Sequence, residues 1–126
     1  MRTQGEIEAA VSDGITRFMQ EFMGRGPKDI RTHLIGDLLL VRLQGILSAA
    51  ETSLATVLPA ERGRDLLKSV RTHLVENSRD RLQHMIEVAS EMTCASMHHD
   101  VSTVTGEEVF VFTLREAPLV RTAKGK

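Results

Sequence analysis

Tryptophan and tyrosine are absent from the 126 residues, and the only aromatic rings besides histidine are Phe18, Phe22, Phe110 and Phe112. A stacking platform for nucleic-acid bases would have to come from those four, two in a helix-like stretch and two in a strand-like one. Cysteine occurs once, as Cys94. That excludes an intramolecular disulfide and any multi-cysteine metal knot, and it is compatible with a reducing compartment. No run approaches the ~18 consecutive apolar residues of a membrane span, and the first residues lack the apolar run of a signal peptide. The expectation is a cytoplasmic protein with no membrane span. An excess of charge of either sign is also missing, with 16 Lys and Arg against 17 Asp and Glu. The balance gives no strong nucleic-acid signal, because general phosphate neutralisation needs a cationic surplus. There is no Gly-Lys-Ser/Thr phosphate loop, no His-Glu-x-x-His and no Gly-x-Ser-x-Gly, so nucleotide hydrolases, zinc proteases and serine hydrolases gain no support.

What the chain does contain is organised around Ser48 to Glu91. Ser48-Ala49-Ala50-Glu51 has the pattern of a capping box, so a helix is expected to start at Ser48 and to end at Pro59, which cannot donate the next backbone hydrogen bond. From about Glu61 the apolar residues Leu66, Leu67, Val70, Leu74, Leu82, Met85, Ile86 and Ala89 recur at helical spacing, with Arg71 and most other charges assigned elsewhere. A straight helix of this length would run about 45 Å, more than the ~30 Å width of a small domain. It should kink or protrude, and Asn77-Ser78 is the expected weak point, since both side chains compete for backbone hydrogen bonds.

Before this stretch, Glu6 to Met23 reads as an amphipathic helix ended by Gly24 and Gly26. Ile30 to Ile35 and Leu38 to Leu43 read as strands of a hairpin turning at Gly36-Asp37. After it, Thr93 to Thr103 alternates, with Ala95, Met97 and Val101 on one side and Ser96, His98, Asp100 and Ser102 on the other. Val104-Thr105-Gly106 reads as a turn and Val109 to Leu114 as a last strand. The fold class is α+β, an antiparallel sheet of two β-hairpins with helices packed on one face, in the order α-ββ-α-α-ββ. Residues 1–118 are expected to form one domain and 119–126 a flexible basic tail.

Gly-Arg-Gly-Pro-Lys at 24–28, Arg31, Asp37, Val-Arg-Leu-Gln-Gly at 41–45, Leu47 with Glu51, Arg71 and Arg79, Asp100-Val-Ser, Thr105-Gly-Glu and Val-Phe-Thr-Leu at 111–114 follow one another over nearly the whole chain. In this order they resemble the MpsC-like family. The resemblance implies a small bacterial cytoplasmic protein linked to a sodium-translocating, membrane-potential-generating system tied to inorganic carbon uptake. It implies no catalytic residues to carry over.

Four cations, Arg25, Lys28, Arg31 and Arg42, form the candidate ligand site. Guanidinium forks bind phosphate or carboxylate two bonds at a time, and a glycine-flanked loop leaves backbone amides open to an anion. The structural alternative is that they pair with Asp29, Asp37 or Glu51 and fix the hairpin. His98 and Asp100 share a strand face and could reach a divalent metal if His33 were brought in as a third ligand; the plainer reading is an exposed polar face. Cys94 and His98 would share a face but stand some 13 Å apart along a strand at about 3.3 Å per residue, too far for a nucleophilic pair. No catalytic residue and no cofactor is expected.

The functional expectation is a non-catalytic accessory or regulatory protein of a membrane ion and inorganic-carbon transport system, acting by protein contact and by small-anion sensing. The alternative is a small metal-dependent enzyme using a His/Asp/Arg surface on the sheet. A membrane transport protein is the expected partner. A homodimer is expected too, because Leu38 to Val41 and Val109 to Leu114 are apolar on both faces, because a two-hairpin sheet has two edges with few protective devices, and because Leu82, Met85 and Ile86 lie on a helix longer than its own domain can cover.

Overall fold

The computed structural model describes residues 1–57 and 60–121. Pro59, expected to end the helix begun at Ser48, and the tail beyond Arg121 lie outside the described residues. The elements are α1 (Gln4–Phe22), β1 (Asp29–Ile35), β2 (Leu38–Gln44), α2 (Ala49–Val57), α3 (Ala60–Asn77), α4 (Arg79–Ser90), β3 (Cys94–Val101) and β4 (Glu108–Leu114). The expected α+β class and element order hold. The four strands make one antiparallel sheet in the order β1-β2-β4-β3.

Local chemistry sets the helix ends. Thr3 and Glu6 form a capping box that starts α1 two residues before the expected Glu6. The predicted box at Ser48 is also present: the Glu51 amide donates to Ser48 Oγ at 3.2 Å, and the Ser48 amide donates to Glu51 Oε1 at 2.9 Å. The long helix breaks at Ser78, whose backbone leaves the helical region (φ −107°, ψ 13°). The break folds α4 back onto α1 and β3 instead of letting it protrude.

One face of the sheet carries the core. Leu39, Val41 and Leu43 of β2 and Phe110, Phe112 and Leu114 of β4 point into it, meeting Ile7, Val11, Ile15, Phe18 and Met19 of α1 and Leu82 and Ile86 of α4. Leu82 and Ile86 are 1% and 0% exposed. They belong to this domain's own core, which corrects the expectation that this part of the helix packs on a neighbour. Close helix crossings use two glycines: a Cβ on Gly14 would fall 2.5 Å from Met85 Sδ, and one on Gly63 2.5 Å from the Leu54 carbonyl oxygen.

The buried stripe of α3 differs from the expected one. It consists of Gly63, Leu67, Arg71 and Val75, while Leu66 and Val70 are about half exposed. A glycine and an arginine in the stripe hid it from a hydrophobicity pattern, because neither scores as apolar. Ala95 is exposed as well, since a bulge between Cys94 and Ser96 reverses the alternation at the start of β3. The same bulge sends Cys94 toward the core and leaves His98 outside, so the two do not share a face. The sheet edges are better protected than expected. On β1 the outward Leu34 amide donates to Glu8 Oε2 at 2.9 Å and its carbonyl accepts from Gln4 Nε2 at 3.1 Å, while β3 carries the bulge.

Candidate functional site

The four predicted cations separate into two places. Arg25 and Lys28, in the connection between α1 and β1, line an open groove of about 730 Å³ whose other walls are α2 and the β3–β4 turn. The Arg25 guanidinium donates to the carbonyls of Leu47 (3.1 Å) and Gly45 (3.4 Å), which fixes it to the segment leading into α2. Lys28 lies across Gly45, where a Cβ would fall 2.7 Å from the lysine stem. Gly45 has φ +66°, a backbone region that favours glycine, so both the turn and the lysine's seat depend on it. Thr52, Ser53, Thr103 and Thr105 add hydroxyls to the walls, and among the described residues the lining contains no carboxylate. The groove can therefore present two positive charges and several hydrogen-bonding groups to an anion.

Arg31 and Arg42 are elsewhere, opposite each other on β1 and β2. They lie on the sheet face away from the helices, where Arg31 pairs with Asp29 at 3.5 Å and Arg42 with Glu107 at 2.6 Å. This matches the structural alternative for Arg31; Arg42 pairs with Glu107 of the β3–β4 turn and not with Asp29, Asp37 or Glu51.

The strand registers lay that outer face out as three rows. The first runs Ile35, Leu38, Thr113, Ser96; the second His33, Leu40, Val111, His98; the third Arg31, Arg42, Val109, Asp100. Its middle is apolar. Leu38, Leu40, Val109 and Val111 are half-buried, and Ile35 is 59% exposed. His33 and His98 stand at opposite ends of the second row, three strand spacings or about 14 Å apart, too far to share an ion. Asp100 is bound by Lys68 Nζ at 3.0 Å. The hydrogen bonds from Lys68 and from the Val101 amide hold its carboxyl below the usual range. Among the described residues no group of three His, Cys, Asp or Glu side chains is placed to hold a metal ion. Burial, with the nearby Glu87 charge, pushes the Cys94 thiol up, away from nucleophilic behaviour.

A buried ionic network was missed from sequence. Arg71 of α3, 1% exposed, donates from Nε and Nη2 to both oxygens of Glu51 (3.0 and 2.9 Å), from Nη1 to Glu108 Oε1 (3.2 Å) and from Nη2 to the Ile46 carbonyl (3.1 Å). Glu108 of β4 is fully buried, and its second oxygen meets His99 Nε2, whose ring packs on Phe110. Burial pushes the Glu51 carboxyl up, but hydrogen bonds from Arg71 and the Ser48 amide outweigh it, leaving the group below its usual range. The network ties α2, one wall of the groove, to α3 and the sheet. Strand parity carried a signal for it: Glu108 falls in step with the inward Phe110 and Phe112, and an inward carboxylate requires a buried cation or donor.

These features define a class: a single-sheet α+β protein with one face closed by helices, one face open, and a small cationic groove at the end where α2 meets the β3–β4 turn. Residues 3–116 match the family described as the Na+-translocating membrane potential-generating system (MpsC), and the chain belongs to that family. It is also similar to a protein of Bacillus subtilis (strain 168) named "Uncharacterized protein YbcI", with 34% identity over 113 residues that cover 90% of this chain and 89% of that protein. No solved structure matches.

Proposed function

We propose that this protein is a non-catalytic accessory or regulatory component of the membrane-potential-generating system for which its family is named, working in the cytoplasm by protein contact. The observation that carries the reading is the open sheet face, with an apolar centre at Leu38, Leu40, Val109 and Val111 and a charged, imidazole-bearing rim. Apolar groups in the middle of a polar rim are the composition of a contact surface. No helix among the described residues is long and apolar enough to cross a membrane. On this reading ion translocation, with any link to inorganic carbon, belongs to a membrane transport protein, and this chain acts on it through the open face, either directly or as a homodimer. The test is made in native cells. Val111→Glu, introduced at the chromosomal locus, should lower the membrane potential reported by a cationic dye to the level of a deletion strain, with protein abundance unchanged. A deletion strain with a wild-type potential would overturn the reading.

The cationic groove supports a second element, sensing of a small anion carrying phosphate or carboxylate. A ligand at one hundred times its dissociation constant stabilises by about 2.7 kcal/mol, which thermal denaturation resolves. Inorganic phosphate, a nucleotide or bicarbonate should raise the melting temperature of the wild type, and Lys28→Gln should remove most of that rise, because it deletes a charge without touching the Arg25 carbonyl contacts. Equal shifts in both proteins would place the anion outside the groove.

A further inference from the structure

We infer that a second copy of this chain covers the open sheet face, about a two-fold axis that lies between the two sheets and runs parallel to the strands. The inference rests on the contact reading above and names the partner of that surface.

The three rows are self-complementary. A two-fold axis along the strands keeps each row opposite itself but reverses its direction, so that β1 of one copy faces β3 of the other and β2 faces β4. The third row reads Arg31, Arg42, Val109, Asp100. Reversed on itself, it brings Arg31 of each copy to Asp100 of the other, twice by symmetry. In the second row Leu40 meets Val111, and in the first Leu38 meets Thr113 and Ile35 meets Ser96. In the third row Arg42, still held by Glu107, lies on Val109, and in the second His33 meets His98; the two central positions of the first and second rows bury apolar groups on apolar or hydroxyl groups, with Arg31 and Asp100 opposed at the rim. The other in-plane axis, perpendicular to the strands, exchanges the first and third rows. It would press both Arg31 on Ile35 and Arg42 on Leu38 and set Asp100 on Ser96, so that neither Arg31 nor Asp100 meets an opposite charge across the interface. Aligned sheets pack about 10 Å apart and cross at about 30°, which moves the outer pairs by roughly one residue and leaves the pairing intact.

Both sheet edges are partly blocked against pairing with another strand. The outward groups of Leu34 on β1 are taken by Gln4 and Glu8, and the β3 edge is interrupted by its bulge. Arg31 and Asp100 are both well exposed, with side chains 70% and 69% accessible, and their own partners Asp29 and Lys68 lie beside them at the rim. Sharing those charges across an interface therefore requires no buried pair to be broken.

Sedimentation equilibrium and cross-linking test the arrangement. The wild type at micromolar concentration should sediment at twice the 14.0 kDa chain mass, and Val111→Glu at the single mass with its circular dichroism unchanged. Should that variant fold poorly, Arg31→Glu acts at an exposed site: it should weaken the dimer roughly fivefold or more, since the interface carries the pair twice, and adding Asp100→Arg should restore it. In a Cys94→Ser background, protein bearing Ile35→Cys mixed with protein bearing Ser96→Cys should cross-link through a short bifunctional maleimide, while neither protein alone does. A monomeric wild type overturns the inference, and so does a dimer in which the mixed pair stays uncrosslinked and the charge exchange restores nothing. The two readings fail separately. A monomer whose Val111→Glu form still lowers membrane potential loses the second copy and keeps the contact surface; a dimer whose variant leaves the potential unchanged does the reverse.

Discussion

Arg71→Ala should cost about 3–5 kcal/mol of folding stability, the range found when one partner is removed from a buried ion pair. The cost follows from what the substitution strands. Glu108 is fully buried and would keep only His99, and Glu51 would lose both bonds of a bidentate pair. Against a typical total of roughly 5–15 kcal/mol the variant would be marginal at ambient temperature. Urea denaturation measures this directly, and a loss under about 1 kcal/mol, the value of a solvated surface pair, would mean that water reaches the network. Arg71→Lys should fall between, because it restores charge but not the planar fork that contacts Glu51, Glu108 and the Ile46 carbonyl together. Acidity supplies a second readout. In the wild type the folded-state carboxyl of Glu51 lies below its ordinary value, so its contribution is present above the unfolded pKa of about 4.3 and is lost as pH falls through the folded value. In Arg71→Ala the Glu51 carboxyl has no guanidinium to lose, so the same fall in pH costs less. The stability difference between the two proteins should therefore shrink on acidification.

The same arginine marks where the sequence ceased to be legible. Elements whose signals are local were readable: the Ser48–Glu51 capping box, the Gly36-Asp37 hairpin turn, and the break at Ser78, where asparagine and serine side chains compete with the helix backbone. The helical phase of α3 was not, since its buried stripe needs Gly63 for a close crossing with α2 and Arg71 for charges brought from α2 and β4, and both requirements arise only once the chain has folded. The bulge at Cys94/Ser96 is invisible to an alternation pattern for a related reason: one extra residue reverses the parity, and no residue type signals it. Of the candidate ligand residues, the loop pair Arg25 and Lys28 converges because Gly45 and two carbonyls seat both. Arg31 and Arg42 are separated from them by strand direction, which points their side chains to the opposite face. The open face itself was legible, since Leu38 to Val41 and Val109 to Leu114 are apolar at both parities.

Ile86→Glu should unfold the domain at neutral pH and recover stability in acid, whatever the oligomeric state. Ile86 is fully buried on α4, at the contact of that helix with the core under β2 and β4. A carboxyl placed there has no cation or donor provided for it, so it is protonated in the fold, with a pKa raised to about 8–9 as in other apolar sites. The unfolded chain ionises the same group near 4.3. A raised folded-state pKa contributes fully below the unfolded value and is lost progressively as pH rises, by about 1.36 kcal/mol per unit over roughly four units. The loss of about 5 kcal/mol at pH 8 is comparable to the whole stability of a domain this size. The variant should thus be folded at pH 4–5 and largely unfolded at pH 8, the opposite of the acid sensitivity that Glu51 gives the wild type. Circular dichroism against pH at fixed temperature measures both trends in one experiment. Val111→Glu, whose side chain points to the open face, should show no such alkaline unfolding. If Ile86→Glu instead stayed folded at pH 8 and merely sedimented as a monomer, α4 would be an interface helix and not part of the core.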